Sequence, residues 1–282
     1  MLDFDEVNEV INNDNEGKKL ASPIDLNLAK MKILNLPLLT WYNYENKPRK
    51  MKLTNTGKTV VLSIMWPNNN AYISSGPFKD NYEFSQIHFH WGKNEMIGSE
   101  HSFDGAKQAM ELHAVHFNSK YKNKLNAIKE PDGTVIIVYV FRLQSTPNNN
   151  LNTIIKSLNL IQDPDSSVRI NPEPIINILR PFNGDYFLYK GTLNINNYER
   201  EIIWVISRVP IGISIEQVSQ FRNICNKNLD KIIDNCRVID DDADDNQQIF
   251  HICPSGYSYW SLLQLPSGPV TDGPRINQQN NF

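Results

Sequence analysis

The sequence predicts a mainly β protein with a few helices, folded as one domain. Segments rich in β-branched and aromatic residues recur between clusters of Gly, Asn, Pro and Asp. Only two stretches carry a helical period, and neither a linker nor an internal repeat divides the chain. Its 282 residues, 40% apolar and 21% charged, suffice for one large core.

The strands are expected at residues 59–65 (TVVLSIM), 83–91 (EFSQIHFHW), 110–117 (MELHAVHF), 135–143 (VIIVYVFRL) and 201–207 (EIIWVIS). Several are apolar on both faces, which predicts a central sheet covered on each side. A loosely amphipathic helix is expected over 150–161, where Leu151, Ile154, Ile155, Leu158 and Leu160 recur. A better marked helix is expected over 215–226, opened by a capping-box pair, Ser214 and Gln217, with Val218, Phe221 and Cys225 on one face.

The ends read differently from the body. Residues 1–20 form an acidic, Asn-rich segment without the basic and apolar regions of a signal peptide. The run 240–245 (DDDADD) reads as a solvated loop, with a cation or partner site as the other reading. The Pro-, Gly- and Asn-rich stretch after Leu265 reads as a flexible tail. The domain is placed at 21–253, followed by an extension over 254–282. The late apolar stretch 257–265 is too short for a membrane helix.

Charge excludes some classes of function. Lys and Arg number 28 against 31 Asp and Glu, a net charge of −3, which disfavours general nucleic-acid or polyanion binding. The three cysteines, Cys225, Cys236 and Cys253, cannot all pair within one chain, so a disulfide framework is excluded. No Asn-x-Ser/Thr acceptor occurs, which is compatible with a cytoplasmic location.

Histidine is unevenly placed. Five of the six residues, His88, His90, His101, His113 and His116, fall in the window 88–116, where even spacing would put roughly 0.6. The two-residue period of a strand sends Gln86, His88 and His90 to one face. The same period puts Glu111, His113 and Val115 together, and the intervening length allows an antiparallel return. Three imidazoles without a fourth protein ligand suit a catalytic zinc ion with one open position. Gln86 and Glu111 stand where they could hydrogen-bond the far ring nitrogens. A partly exposed polar strand face is the plainer reading of His-x-His alone. A cupin site would need a glycine where Tyr82 stands, and a second histidine motif that is missing.

With these residues in view, the sequence resembles the α-class carbonic anhydrases. The resemblance starts at Ser22-Pro23-Ile24-Asp25-Leu26 and continues through Asn55-Thr56-Gly57, Tyr72 to Pro77 and Phe84 to Gly92. It runs on through Gly98-Ser99-Glu100-His101, Glu111 to His116, Asp185-Tyr186, Gly191-x-Leu193, Trp204 and Asp234-Asn235-x-Arg237. It implies a single domain on a ten-stranded, mostly antiparallel twisted sheet. It further implies zinc held by His88, His90 and His113, oriented in turn by Gln86, the backbone carbonyl of Asn235 and Glu111. His101 and His116 would be supporting residues. The activity implied is reversible hydration of carbon dioxide to bicarbonate, with the substrate in an apolar pocket of Val115, Ile136, Leu193 and Trp204.

The chain departs from the family pattern at several points. A threonine normally links the activated water to the glutamate matching Glu100; here the position is Asn194, whose amide could accept from the water and donate to Glu100. Losing an oriented bond of this kind costs about 2–4 kcal/mol, or roughly 10²–10³ in rate, and Asn194→Thr is expected to recover some of it. The next residue is Ile195, which makes the pocket drier. The proton-shuttle histidine is replaced by Lys58, a residue type that ordinarily keeps its proton at neutral pH and relays poorly. An aromatic N-terminal stretch and the usual ending after Arg237 are also missing, as is the cysteine pair of many secreted members, which favours a reducing compartment. The expected function is therefore a carbonic anhydrase of reduced rate. The competing expectation is a carbonic-anhydrase-related module with a retained zinc site. Such a module would bind a protein or a polyanion, for example a sulfated glycan, through Lys47, Arg49, Lys50, Lys52 and Lys58.

Overall fold

The computed structural model describes residues 20–195, 197–239 and 248–254. The expectations for residues 1–19, for the run 240–245 and for the C-terminal tail fall outside the described residues. Fifteen strands are present among them. In chain order they are β1 (Asp25–Leu26), β2 (Lys32–Leu34), β3 (Leu39–Tyr42), β4 (Lys50–Asn55), β5 (Val60–Met65), β6 (Tyr72–Ser75), β7 (Phe78–Trp91) and β8 (Ser102–Phe103). They continue with β9 (Met110–Asn118), β10 (Thr134–Leu143), β11 (Ser167–Ile170), β12 (Tyr186–Ile195), β13 (Tyr198–Ser207), β14 (Ile211–Ile213) and β15 (Phe250–Ile252).

Thirteen strands form one mixed sheet, and ten of them make a continuous path in the order β11-β4-β5-β7-β9-β10-β13-β12-β15-β2. Most neighbours are antiparallel; β10 with β13 and β15 with β2 are parallel. Strands β1 and β8 form a separate parallel pair that lays the N-terminal segment beside residue 102. Each strand expected from sequence is present, β7 being longer than expected and β13 beginning three residues earlier. No helix among the described residues is long and apolar enough to cross a membrane.

Both expected helices are shorter than their periodicity suggested. The stretch from Asn149 to Leu160 is a short α-helix, Asn152–Ser157, between two 3₁₀ turns. The second helix is Ile215–Phe221 and carries the expected reciprocal cap between Ser214 and Gln217. It stops before Cys225 because the chain there turns into a bridge with Lys231.

The sheet separates two cores. Alternate residues of the central strands, among them Leu62, Ile87, Phe89, Leu112, Ile137 and Val205, pack in the larger cluster. The other face gathers Ile136, Val138, Phe187, Tyr189, Trp204 and Ile206 against Ile24 and Leu26 of the N-terminal segment. His116 belongs to the first face: its Nδ1 donates to the Ala114 carbonyl and its Nε2 meets the Tyr44 hydroxyl. It is a core histidine with both ring nitrogens satisfied.

Candidate metal centre

Register brings the histidines together. His88 of β7 lies directly opposite His113 of β9, and His90 opposite Glu111. Cross-strand partners share a face, so the three imidazoles converge; their ring centroids are 4.6–5.2 Å apart. One nitrogen from each, taken together, lies within 4.8 Å of the others.

Hydrogen bonds show which nitrogens are spare. His113 Nε2 donates to Glu111 Oε1 at 2.6 Å, leaving the Nδ1 lone pair facing His88 Nε2 at 3.2 Å. His90 Nδ1 lies 3.3 Å from the Asn235 carbonyl and 3.2 Å from Glu100 Oε1. Its Nε2 is buried without a partner. The donor set fits zinc: tetrahedral bonds of about 2.0–2.1 Å put two ligand nitrogens roughly 3.3 Å apart, and a bound cation would satisfy the orphaned His90 nitrogen. Burial holds the His90 pKa down at about 4, despite the opposing charge of Glu100, and holds His88 well below its ordinary value. Neutral imidazoles, the form a metal requires, follow.

The expected supporting residues divide. Glu111 and the Asn235 carbonyl stand where the resemblance implied. Gln86 does not: no hydrogen bond joins it to His88 among the described residues, and His88 Nδ1 is buried without a partner. Burial alone would raise both carboxyl groups, but His90 and Arg237 outweigh it at Glu100, and His101 and His113 outweigh it at Glu111. Both stay ionised.

Asn194 is the clearest difference from expectation. It is exposed near the tip of the β12–β13 hairpin, paired in register with Glu199, and makes no hydrogen bond to Glu100 among the described residues. Glu100 instead accepts from Arg237, through the backbone N at 3.0 Å, Nε at 2.8 Å and Nη2. Sequence reasoning quoted Arg237 in a motif without giving it this task. A buried glutamate's need for a cation was the signal that could have found it. Lys58 is exposed, its backbone carbonyl accepting from Asn235 Nδ2 at 3.2 Å.

The expected pocket residues do assemble. Val115, Ile136 and Trp204 are neighbours across β9, β10 and β13, and Leu193 and Ile195 belong to the same apolar cluster. The Trp204 ring lies 5.2 Å from that of His113. An apolar cluster therefore adjoins His113.

A large β-sheet carrying three convergent imidazoles beside apolar side chains defines a protein whose histidines could hold a single metal ion. Comparison with known proteins places it further. The family model for eukaryotic-type carbonic anhydrase matches residues 10–247. Carbonic anhydrase 1 of Oryctolagus cuniculus is 32% identical over 206 residues, 72% of this chain and 85% of that protein. Carbonic anhydrase 1 of Monodelphis domestica is 33% identical over 220 residues, 76% of this chain and 79% of that protein. Carbonic anhydrase 3 of Sus scrofa is 31% identical over 206 residues, 72% and 77% of the two chains. The chain belongs to the eukaryotic-type carbonic anhydrase family.

Proposed function

We propose that this protein is a zinc-dependent carbonic anhydrase of reduced turnover. The observation that carries this reading is the convergence of His88 Nε2, His90 Nε2 and His113 Nδ1, with the far nitrogens of His90 and His113 occupied by fixed acceptors. Zinc bound there would act as a Lewis acid that makes water a nucleophile near neutral pH.

The residues around it have separate tasks. Glu111 holds His113 in the tautomer that bares Nδ1, and the Asn235 carbonyl with Glu100 does the same for His90 Nε2. Val115, Ile136, Leu193 and Trp204 would offer carbon dioxide, a small apolar molecule, an apolar lining beside the histidines. Glu100 is bound to Arg237 and has no partner at Asn194, so an oriented hydrogen bond that would align the attacking water is lacking. The loss is worth roughly 10²–10³ in rate. Lys58, exposed at the position where faster relatives carry a histidine, leaves proton transfer to solvent and buffer.

Zinc content and carbon dioxide hydration should be measured on the same sample. About one zinc per chain is expected, with a hydration rate above that of free zinc. A rate no greater than that of free zinc would overturn the enzymatic reading.

A second reading has its own support. Lys52 of β4 sits between Arg169 of β11 and Ser63 of β5, and Ser63 faces Gln86 of β7, so one register row leads from an exposed cationic edge to the histidine face. Lys50 and Lys52 are exposed. A sulfated glycan would find charge complementarity there. Retention on a heparin column at physiological salt, falling steeply as salt rises, would favour this role; elution at low salt would remove it.

A further inference from the structure

The two faces of β12 serve different ends. Phe187 and Tyr189 pack in the cluster on the histidine side, so Tyr186, Leu188 and Lys190 alternate onto the opposite face of the sheet. On that opposite face lies a cavity of about 430 Å³ that the metal centre does not use. Leu188 forms its floor with Ile203 of β13, which stands opposite Lys190 in the ladder. One wall is the start of β7, including Phe78 and Tyr82, and the other is Pro131 and Asp132 just ahead of β10. The turn that leads from β6 into the first wall is left-handed, with φ of 61° at Ser75 and 62° at Gly76. Glycine suits position 76 because it adopts that φ without strain and because a Cβ there would lie 3.1 Å from the Tyr186 hydroxyl.

The charged groups of the lining fall into two sets. Lys120 Nζ lies 3.1 Å from Asp80 Oδ2 and also contacts Asp132 Oδ2. Asp80 accepts in addition from Asn118 Nδ2 at 2.9 Å, and Asp132 from the Tyr121 hydroxyl at 2.6 Å. The Tyr82 hydroxyl donates to the Asp132 carbonyl at 2.8 Å, which ties the two walls together. Burial alone would raise the Asp132 carboxyl, but hydrogen bonds from Lys120 and Tyr121 outweigh it and keep the group ionised. Both carboxylates are thus engaged by donors of the protein itself. Lys79 and Lys190 form the second set, so the lining carries three cations against two anions.

We propose that this cavity is a second ligand site, on the face of the sheet away from the histidines, for a small organic anion with an apolar body: an aryl or acyl carboxylate or sulfonate. Cavities of about 300–1,000 Å³ hold ligands of that size. Phe78, Leu188 and Ile203 take the apolar body out of water, and Lys79 and Lys190 take the acid group. A cationic ligand would meet carboxylates that are already paired. A bare inorganic anion would leave the apolar floor in contact with water and gain nothing from it. The proposal does not depend on zinc and stands apart from the enzymatic reading.

Fluorescence titration of the full chain with 8-anilinonaphthalene-1-sulfonate tests it, with N-phenyl-1-naphthylamine as the uncharged probe. The sulfonate should bind the folded wild-type chain, more weakly as salt rises, and equally in zinc-loaded and zinc-free protein. The double variant Lys79→Glu, Lys190→Glu should weaken the sulfonate about tenfold or more and leave the amine within roughly twofold. Ile203→Trp, which fills the cavity, should weaken both probes. Urea unfolding checks that each variant is folded, and should Ile203→Trp fail to fold, the lysine variant decides alone. No sulfonate binding to the wild-type chain, wild-type sulfonate affinity in the lysine variant, or an equal loss of both probes in it would overturn the proposal. Displacement of the sulfonate by zinc would also overturn it, because the probe would then occupy the histidine face. None of these results bears on whether the histidines hold a metal.

Discussion

At Glu111 a single buried carboxylate accepts from two imidazoles and a backbone N–H, and so settles which nitrogen of His113 is bare. His116, three residues on and facing the other core, shows the opposite use of an imidazole. It is held neutral, with burial pushing its pKa down to about 3. An unfolded histidine titrates near 6.5, so below that pH the unfolded chain takes up a proton that the folded chain refuses. Stability from this residue is complete above about pH 6.5 and is lost as pH falls toward 3. Between pH 7 and 5 the loss should be about 2 kcal/mol. Urea unfolding of the zinc-free protein at both pH values should show a smaller loss in His116→Gln; equal losses would remove His116 as the source. The two departures from the family pattern behave differently once placed. Lys58 is exposed, so Lys58→His should raise carbon dioxide hydration in weak buffer and change little in strong buffer. Asn194 is exposed and bonded to nothing that reaches Glu100, so the shorter threonine should not restore the missing link. Asn194→Thr alone is expected to leave the rate in strong buffer within about twofold, contrary to what the sequence suggested. A tenfold rise would show that the hairpin repacks.

Strands β7 and β9 were legible because the two-residue period and the histidine spacing agree, and the observed register delivers the shared face that alternation required. The segment between them was not legible. Glu100 and His101 lie on a connection whose path depends on close backbone approaches: a Cβ on Gly92 would lie 2.4 Å from the Ile97 carbonyl oxygen, and one on Gly98 would lie 1.8 Å from that of Ala109. Gly98 and Ser99 both donate to the Gln108 carbonyl, which pins the loop. Gly98→Ala must displace that backbone, at a cost of about 1–3 kcal/mol. It should also weaken zinc binding, because Glu100 and His101 move with the loop. Chemical denaturation and chelator competition on the same variant would check both. Unchanged zinc affinity would mean that the loop tolerates the shift without moving the site. The helices teach the converse lesson. Periodicity located both, but their ends were set by tertiary turns that sequence periodicity does not encode.

Across the whole molecule, one sheet divides a large structural core from a smaller cluster that carries the histidines, so metal occupancy should report on global stability. Zinc at about 100 times its dissociation constant should add about 2.7 kcal/mol and raise the melting temperature by roughly 5–10 °C. Thermal unfolding with and without a chelator would show it, and His113→Ala should abolish the difference. An identical melting temperature in both conditions would mean that zinc does not bind the native state selectively. The sequence by itself determined the class of fold, the three imidazoles and their Glu111 partner, because strand alternation and short spacing act over a few residues and are written directly in the chain. Tertiary structure alone decided that Arg237 clamps Glu100, that Asn194 stands apart from it, and that Ser22 and Tyr189 reach His101. Those contacts join residues 88 to 167 positions apart, or fail to join them, through packing and strand register, which no local pattern records.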